Sequence, residues 1–149
     1  MPPQKPVWFI TAAGSGFGHT LALAALARSH HVIATSRTLS KLDPLASRGA
    51  HVLALDVTAP LSDIQAVVQQ VVDKYGYITH LVNAAGYCLV GAVEETSPEE
   101  DLETFRTNVL GTLSVTKAVL PVLRRGEGTR VVCNFGSIAS WTGGAGAAL

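Results

Sequence analysis

The hydrophobic pattern switches repeatedly between two periods along this chain. Residues 7–12 (Val-Trp-Phe-Ile-Thr-Ala) form a short, almost wholly apolar run, as expected of a parallel strand covered on both faces. A glycine-rich turn follows. Phe17, Leu21, Ala24 and Ala25 then recur at helical spacing and predict one buried helix face. His31–Ser36 predicts a second buried strand, residues 38–48 a short helix ending at Gly49, and residues 51–55 a third strand. Leu61–Tyr75 carries the clearest helical stripe, with Ile64, Val67, Val68, Val71 and Val72 on one side and Gln65, Gln69, Gln70 and Asp73 on the other. Gly76 is placed to end that helix.

Residues 78–83 predict a fourth strand. Ser97-Pro-Glu-Glu100 reads as a capping box with proline at the first helical position. It opens a long helix reaching about residue 124, with Pro121 near its end. Residues 130–136 predict the fifth strand. Strands alternating with helices in this way, joined by right-handed crossovers, give an α/β fold, a doubly wound parallel sheet. No internal repeat or linker interrupts residues 1–149, which read as one domain. The glycine- and alanine-rich stretch 143–149 is the only biased segment and has no period of its own.

Composition narrows the function classes. Eleven Lys+Arg balance eleven Asp+Glu, and no run of like charge stands out, so there is no electrostatic footprint for nucleic acid or an anionic membrane. Val7 to Ala27 lacks Lys, Arg, Asp and Glu, but Gly14, Gly16, Gly18 and His19 break it into pieces far short of the ~20 apolar residues of a span. No membrane or targeting segment is expected. The five histidines and two cysteines show no metal-ligand spacing, so no metal is expected. Cys88 and Cys133 sit in apolar surroundings and are expected to be reduced and buried, as in a cytoplasmic protein; a disulfide or a reactive thiol is the other reading.

The chemistry gathers where the first strand runs into Thr11-Ala-Ala-Gly-Ser-Gly-Phe-Gly18. Glycines there let the backbone turn sharply and approach a pyrophosphate, and the next helix supplies N–H groups and a positive dipole end. A plain strand-to-helix turn is the bland alternative. The segment resembles the TGxxxGxG turn of the short-chain dehydrogenase/reductase family, with Ala12 in place of the first glycine. Through that resemblance Thr11, Gly14, Ser15, Gly16, Phe17 and Gly18 are implied to bind the cofactor. The implied fold is the Rossmann-like sheet, here cut after its fifth strand.

Nineteen residues past Gly18 lie Ser36-Arg37, where an NAD-preferring site would carry a carboxylate for the ribose 2′-hydroxyl. That carboxylate is absent, and the Arg37 guanidinium suits a 2′-phosphate, with Lys41 adding to the positive field. NADP is therefore the expected cofactor, against the alternative of a solvated surface arginine. By resemblance, Asp56 hydrogen-bonds the adenine edge or caps the next turn. Asn83-Ala-Ala-Gly86 is similar to the family's NNAG motif, so Asn83, Ala84 and Gly86 are implied to border the adenosine ribose, with a structural role for Asn83 compatible. Asn108 matches the family's active-site asparagine in the long helix, and Lys117 beyond it is a further candidate toward the cofactor. Ser137, after the fifth strand, matches the catalytic serine that donates to a substrate carbonyl oxygen; its alternative is a turn residue.

The family's general acid/base, a tyrosine with lysine four residues later, lies about a dozen residues beyond that serine. Tyr75, Tyr77 and Tyr87 are followed four residues on by Thr79, Leu81 and Gly91, so none forms the pair. The resemblance covers about the first three-fifths of a family member. The expectation is a fragment of an NADP-dependent oxidoreductase that transfers hydride between the nicotinamide and a small carbonyl or alcohol substrate, inactive as it stands. A non-catalytic dinucleotide- or partner-binding module is the alternative, and a redox-neutral cyclase or isomerase a third reading. An unpaired edge at the fifth strand and the family's use of the long helix for dimerisation imply a homo-oligomer or an aggregation-prone chain.

Overall fold

The computed structural model describes residues 4–142; the biased stretch 143–149 lies outside the described residues. Strands β1 (Val7–Ile10), β2 (His31–Ser36), β3 (His51–Ala54), β4 (His80–Asn83) and β5 (Val131–Asn134) form one sheet in the order β3-β2-β1-β4-β5. Every neighbouring pair is parallel. The chain winds outward from β1 to β3, crosses back through helix α3 (Leu61–Tyr75), and builds β4 and β5 on the other side. This is the doubly wound Rossmann-like arrangement. Its switch point lies between β1 and β4, where the departing loops diverge and leave a crevice.

Alternation along the strands divides the core in two. Phe9, Ile33 and Leu81 face α3 and α5 (Thr112–Arg125), meeting Ile64, Val68, Val71, Val115 and Val119. Ile10, Val32, Ala34 and Val82 face the opposite layer, α1 (Gly16–Ala27) and α2 (Asp43–Ala46), with Ala22, Ala25, Leu42 and Leu45. Both faces are covered over β1, β2 and β4, which is why those strands read as continuous apolar runs; β5 stays half-exposed, with Val132 at the surface. Each fully buried Ile or Leu here contributes roughly 2–5 kcal/mol against truncation to Ala.

Several sequence expectations are corrected in detail. The strands are shorter than the apolar runs. Thr11 still donates its N–H to the Val82 carbonyl, but Ala12 has turned to φ 50° and the ladder stops. In α1 the buried positions are Gly18, Ala22 and Ala25, about one residue round from the expected face, and Phe17 is exposed. The small residues are inside because α1 packs closely on the sheet. The helix expected over 38–48 splits into a 3-10 turn (Leu39–Leu42) and the one-turn α2, since Pro44 cannot donate to a preceding turn and is tolerated only at a helix start.

The capping box forms as read. Ser97 Oγ accepts from the Glu100 N–H and the Glu100 carboxylate accepts from the Ser97 N–H, opening α4 (Pro98–Phe105). The long helix, however, is three segments: α4, a π-helical stretch Arg106–Gly111, and α5. Gly76 ends α3 at φ 80°, as its position foretold. Cys88 is exposed rather than buried, and Cys133 is half-buried; both are free thiols.

Candidate functional site

The loops leaving β1, β2, β3 and β4 converge over one cleft of about 290 Å³. Thr11 ties the loops together behind the cleft's lining. The buried hydroxyl donates to the Val82 carbonyl at 3.4 Å and accepts the N–H groups of Ala84 at 2.9 Å and Ala85 at 3.1 Å. One threonine thus ties the turn after β1 to the turn after β4. Ala12 stands in the left-handed region at φ 50°, where a Cβ costs about 1–2 kcal/mol.

The glycines serve different needs. Gly16 has φ 58° and open space around the missing Cβ, so it is chosen for its backbone. A Cβ on Gly18 would lie 3.1 Å from the Ala12 carbonyl oxygen and 3.3 Å from Ala84 Cβ, so it is chosen for closeness of helix to turn. Gly14 is not left-handed; a Cβ there would meet Lys41 Cβ at 2.9 Å. Its role is room beneath Lys41, not the conformational freedom that its neighbour Ala12 lacks.

Ala12, Gly14 and Ser15 line the cleft on one side, and Ser36, Arg37, Thr38 and Lys41 on the next. Ser36 Oγ accepts the Thr38 N–H at 3.2 Å, which shapes the loop carrying Arg37. From β3 come Leu55, Asp56 and Val57. Asp56 Oδ1 accepts the Thr58 N–H at 2.9 Å and the Thr58 hydroxyl at 2.8 Å. Partial burial pushes the carboxyl up, but the two Thr58 hydrogen bonds and the nearby Arg37 guanidinium outweigh it and leave the pKa below its ordinary value. Asp56 therefore offers an ionised acceptor; it caps the next turn through Thr58, one of its two sequence readings, and it also lines the cleft.

Ala85, Gly86, Tyr87 and Thr107 close the cleft. A Cβ on Gly86 would lie 3.2 Å from Asn108 Oδ1. Asn108 sits in the π-helical stretch and is spent on the Tyr87 backbone: Oδ1 accepts its N–H at 3.0 Å and Nδ2 donates to its carbonyl at 2.8 Å. Such a distortion is where helices commonly redirect a functional side chain. Asn83 is buried, and its Nδ2 donates to Thr116 Oγ1 at 3.1 Å and Asn134 Oδ1 at 2.8 Å, pinning α5 and the end of β5 to β4.

Other named residues lie outside the cleft lining: Thr11, Gly16, Phe17, Gly18, Asn83, Ala84, Asn108, Lys117 and Ser137. Lys117 is exposed on α5. Ser137 is exposed beyond β5 and its Oγ accepts the Ala139 N–H at 3.1 Å; among the described residues its hydroxyl donates to none. Phe17 stacks on Phe135, ring centroids 5.5 Å apart, linking the first turn of α1 to the segment that carries Ser137. Sequence reading did not assign Leu55, Thr38, Val57, Tyr87 or Thr107 to the site. Each is directly adjacent to a residue that was assigned, and a motif marks one position of a turn without showing which of its neighbours the fold turns inward.

The sequence profile of the short chain dehydrogenases matches residues 6–149. The chain is a member of the short-chain dehydrogenase/reductase family. It is 40% identical over 150 residues to the uncharacterized oxidoreductase YusZ of Bacillus subtilis, covering 94% of this chain and 51% of that protein. A short-chain dehydrogenase from Streptomyces avermitilis superimposes with a TM-score of 0.88 at 38% identity, over 95% of this chain and 53% of that one. ElxO with NADP bound (TM-score 0.84, 27% identity, 96% and 60% covered) and a family member from Burkholderia phymatum in complex with NAD (0.85, 25%, 97% and 53%) are similar too. The chain spans about half the length of the curated relatives it matches.

Proposed function

We propose that this chain is the dinucleotide-binding part of an NADP-dependent oxidoreductase that interconverts a small carbonyl and alcohol. The observation that carries the reading is the single cleft in which the glycine turn, Arg37 with Lys41, and ionised Asp56 meet. The group fits the residues present: two glycine positions have no room for a Cβ, and a positive site replaces the acid that a free 2′-hydroxyl would require. Gly14, Ser15, Gly16, Phe17 and Gly18 would hold the pyrophosphate, Ser36 and Arg37 the 2′-phosphate, and Asp56 the adenine edge. Asn83, Ala84 and Gly86 would border the ribose. When bound, the dinucleotide supplies or accepts the hydride.

The chain's own residues then orient and polarise. Ser137 would donate to the substrate carbonyl oxygen as negative charge develops there. Asn108 acts through the backbone of Tyr87, fixing the turn that borders the cofactor. Among residues 1–149 no tyrosine precedes a lysine by four positions, so the proton would come from a group outside this stretch, and the stretch alone is expected not to turn over. The alternative of a dinucleotide- or partner-binding module draws support from the cleft's extent, which takes in neither Ser137 nor Asn108.

NADPH should bind about tenfold more tightly than NADH, ~1.4 kcal/mol, and Arg37→Asp should remove that preference. Calorimetric titration checks both; equal affinities in the unsubstituted protein would take Arg37 out of its role. A homo-oligomer is proposed through the exposed row Leu102, Phe105, Val109, Leu110 and Leu113 on α4, the π-helical stretch and α5. Light scattering reads it: a monodisperse monomer would remove that surface from the proposal. Among the described residues no helix is long and apolar enough to cross a membrane, and the two free thiols support a cytoplasmic setting.

A further inference from the structure

Tyr87 is held in a way that packing does not require. It belongs to neither buried core cluster, and 46% of its surface is exposed. Yet both of its backbone polar groups are clamped by the Asn108 side chain, and its hydroxyl is hydrogen-bonded to Thr104 Oγ1 at 3.2 Å. Thr104 is itself buried in α4, and its Oγ1 also reaches the Glu100 carbonyl at 2.9 Å. The side chain is therefore anchored at its root and at its tip, with a face left open. A tyrosine has two rotatable side-chain torsions, so this anchoring leaves a rigid aromatic wall at small entropic cost.

The wall stands in a particular place. Tyr87 shares the cleft with Leu55, Asp56, Val57 and Thr107. These residues combine apolar side chains with one ionised acceptor. Val57 lies against Gly111, one turn beyond Thr107, while Gly14 lies against Lys41 and Ser36, and Arg37 is near enough to Asp56 to favour its charged form. A flat heteroaromatic base with an exocyclic amino group matches Tyr87, Val57 and Asp56: its face needs an apolar or π surface and its amino edge an anionic acceptor. Phosphates match Arg37, Lys41 and the glycine turn.

We propose that Tyr87 is a purine-binding residue of this cleft, its ring taking the adenine of the dinucleotide and its anchoring to Asn108 and Thr104 setting the ring's orientation. The inference rests on the dinucleotide reading above and adds the residue that makes the site select a base rather than a phosphorylated sugar. Base–aromatic contact of this kind changes affinity by about tenfold when the ring is removed.

The test is calorimetric titration of the unsubstituted chain, Tyr87→Phe and Tyr87→Ala with NADPH, with adenosine 2′,5′-bisphosphate and with inorganic pyrophosphate, which has no base. Thermal melts confirm folding, and Tyr87→Leu replaces the alanine variant if that one does not melt cooperatively. Tyr87→Ala should weaken both nucleotides about tenfold and leave pyrophosphate unchanged, while Tyr87→Phe, which keeps the ring and loses only the Thr104 anchor, should weaken them less, by about threefold. Equal nucleotide affinity in Tyr87→Ala, an equal loss in Tyr87→Phe, or a parallel loss for pyrophosphate would each overturn the assignment. An unsubstituted chain that binds no nucleotide would instead overturn the dinucleotide reading, and this inference with it.

Discussion

The two ends of the parallel sheet are built on opposite plans. At the carboxyl ends, backbone is left open: Ala12 and Gly16 hold positive φ, and Arg37, Lys41 and Asp56 line an open cleft. At the amino ends, side chains close over the strands. Trp8 donates its indole N–H to His30 Nδ1 at 3.0 Å and stacks on His80 at 4.1 Å. Tyr75 leans on His31 and His51. Thr79 reaches past β1, its hydroxyl accepting the Val7 N–H at 2.8 Å and donating to the Val7 carbonyl at 2.9 Å. Four of the five histidines sit at this closed rim. Parallel strands send every strand-to-helix loop to one rim, so binding groups can accumulate there while the other rim serves stability. Open charge gathers at the first rim, whereas left-handed backbone occurs at both: Ser29, just before β2, stands at φ 59°.

The largest effect expected at the open rim comes from filling its closest approach. Gly18→Val should cost about 3 kcal/mol, by overpacking against the Ala12 carbonyl and Ala84, and should abolish dinucleotide binding. Denaturant unfolding with NADPH titration measures both; a variant that binds normally would show that the turn can open without loss.

A smaller effect separates the rims by pH. Burial lowers the pKa of His31, His51 and His80 below the ordinary 6.5, with Lys5 and Lys74 adding for His31, Lys74 for His51, and His30 and Arg130 for His80. The unfolded chain therefore takes up these protons first as pH falls. The histidine contribution to stability is complete above pH 6.5 and declines below it. The Asp56 pKa is lowered too, but for a carboxylate that favours the charged form, so its contribution is kept through that window and lost only in stronger acid. The melting temperature should fall between pH 7 and 5, and His80→Gln should flatten that fall. An unchanged slope in the variant would place the acid sensitivity outside the closed rim.

The smallest expected change is favourable. Ala12→Gly relieves the left-handed alanine and gives back part of the gain as chain entropy, a net stabilisation of about 0.5 kcal/mol. Thermal melting reads it, and a loss of stability would mean that the Ala12 methyl is packed rather than strained.

How much of this was legible before the structure differs by residue. Leu61–Tyr75 was readable to the residue because its stripe, its polar face and Gly76 all agree. The capping box at Ser97 was readable because its hydrogen bonds close within four residues. The exposed Phe17, the split around Pro44 and the π-helical stretch at Asn108 were not. The first and last depend on what another segment demands, α1 pressed close to the sheet and an asparagine drawn to the Tyr87 backbone; the split follows from Pro44 itself, a local signal that was passed over.

The sequence by itself determined the alternation of strands and helices, the glycine turn, and the presence of Arg37 where an acid could stand. These are local properties, written in periodicity and in the conformational limits of single residues. Only the tertiary structure decided that Arg37, Asp56 and Tyr87 share one cleft, that Ser137 and Lys117 lie outside its lining, and that four histidines gather at the closed rim. Such groupings come from strand order and register, which bring together residues as far apart as Thr11 and Ala85. Interactions across those distances leave no period in the chain.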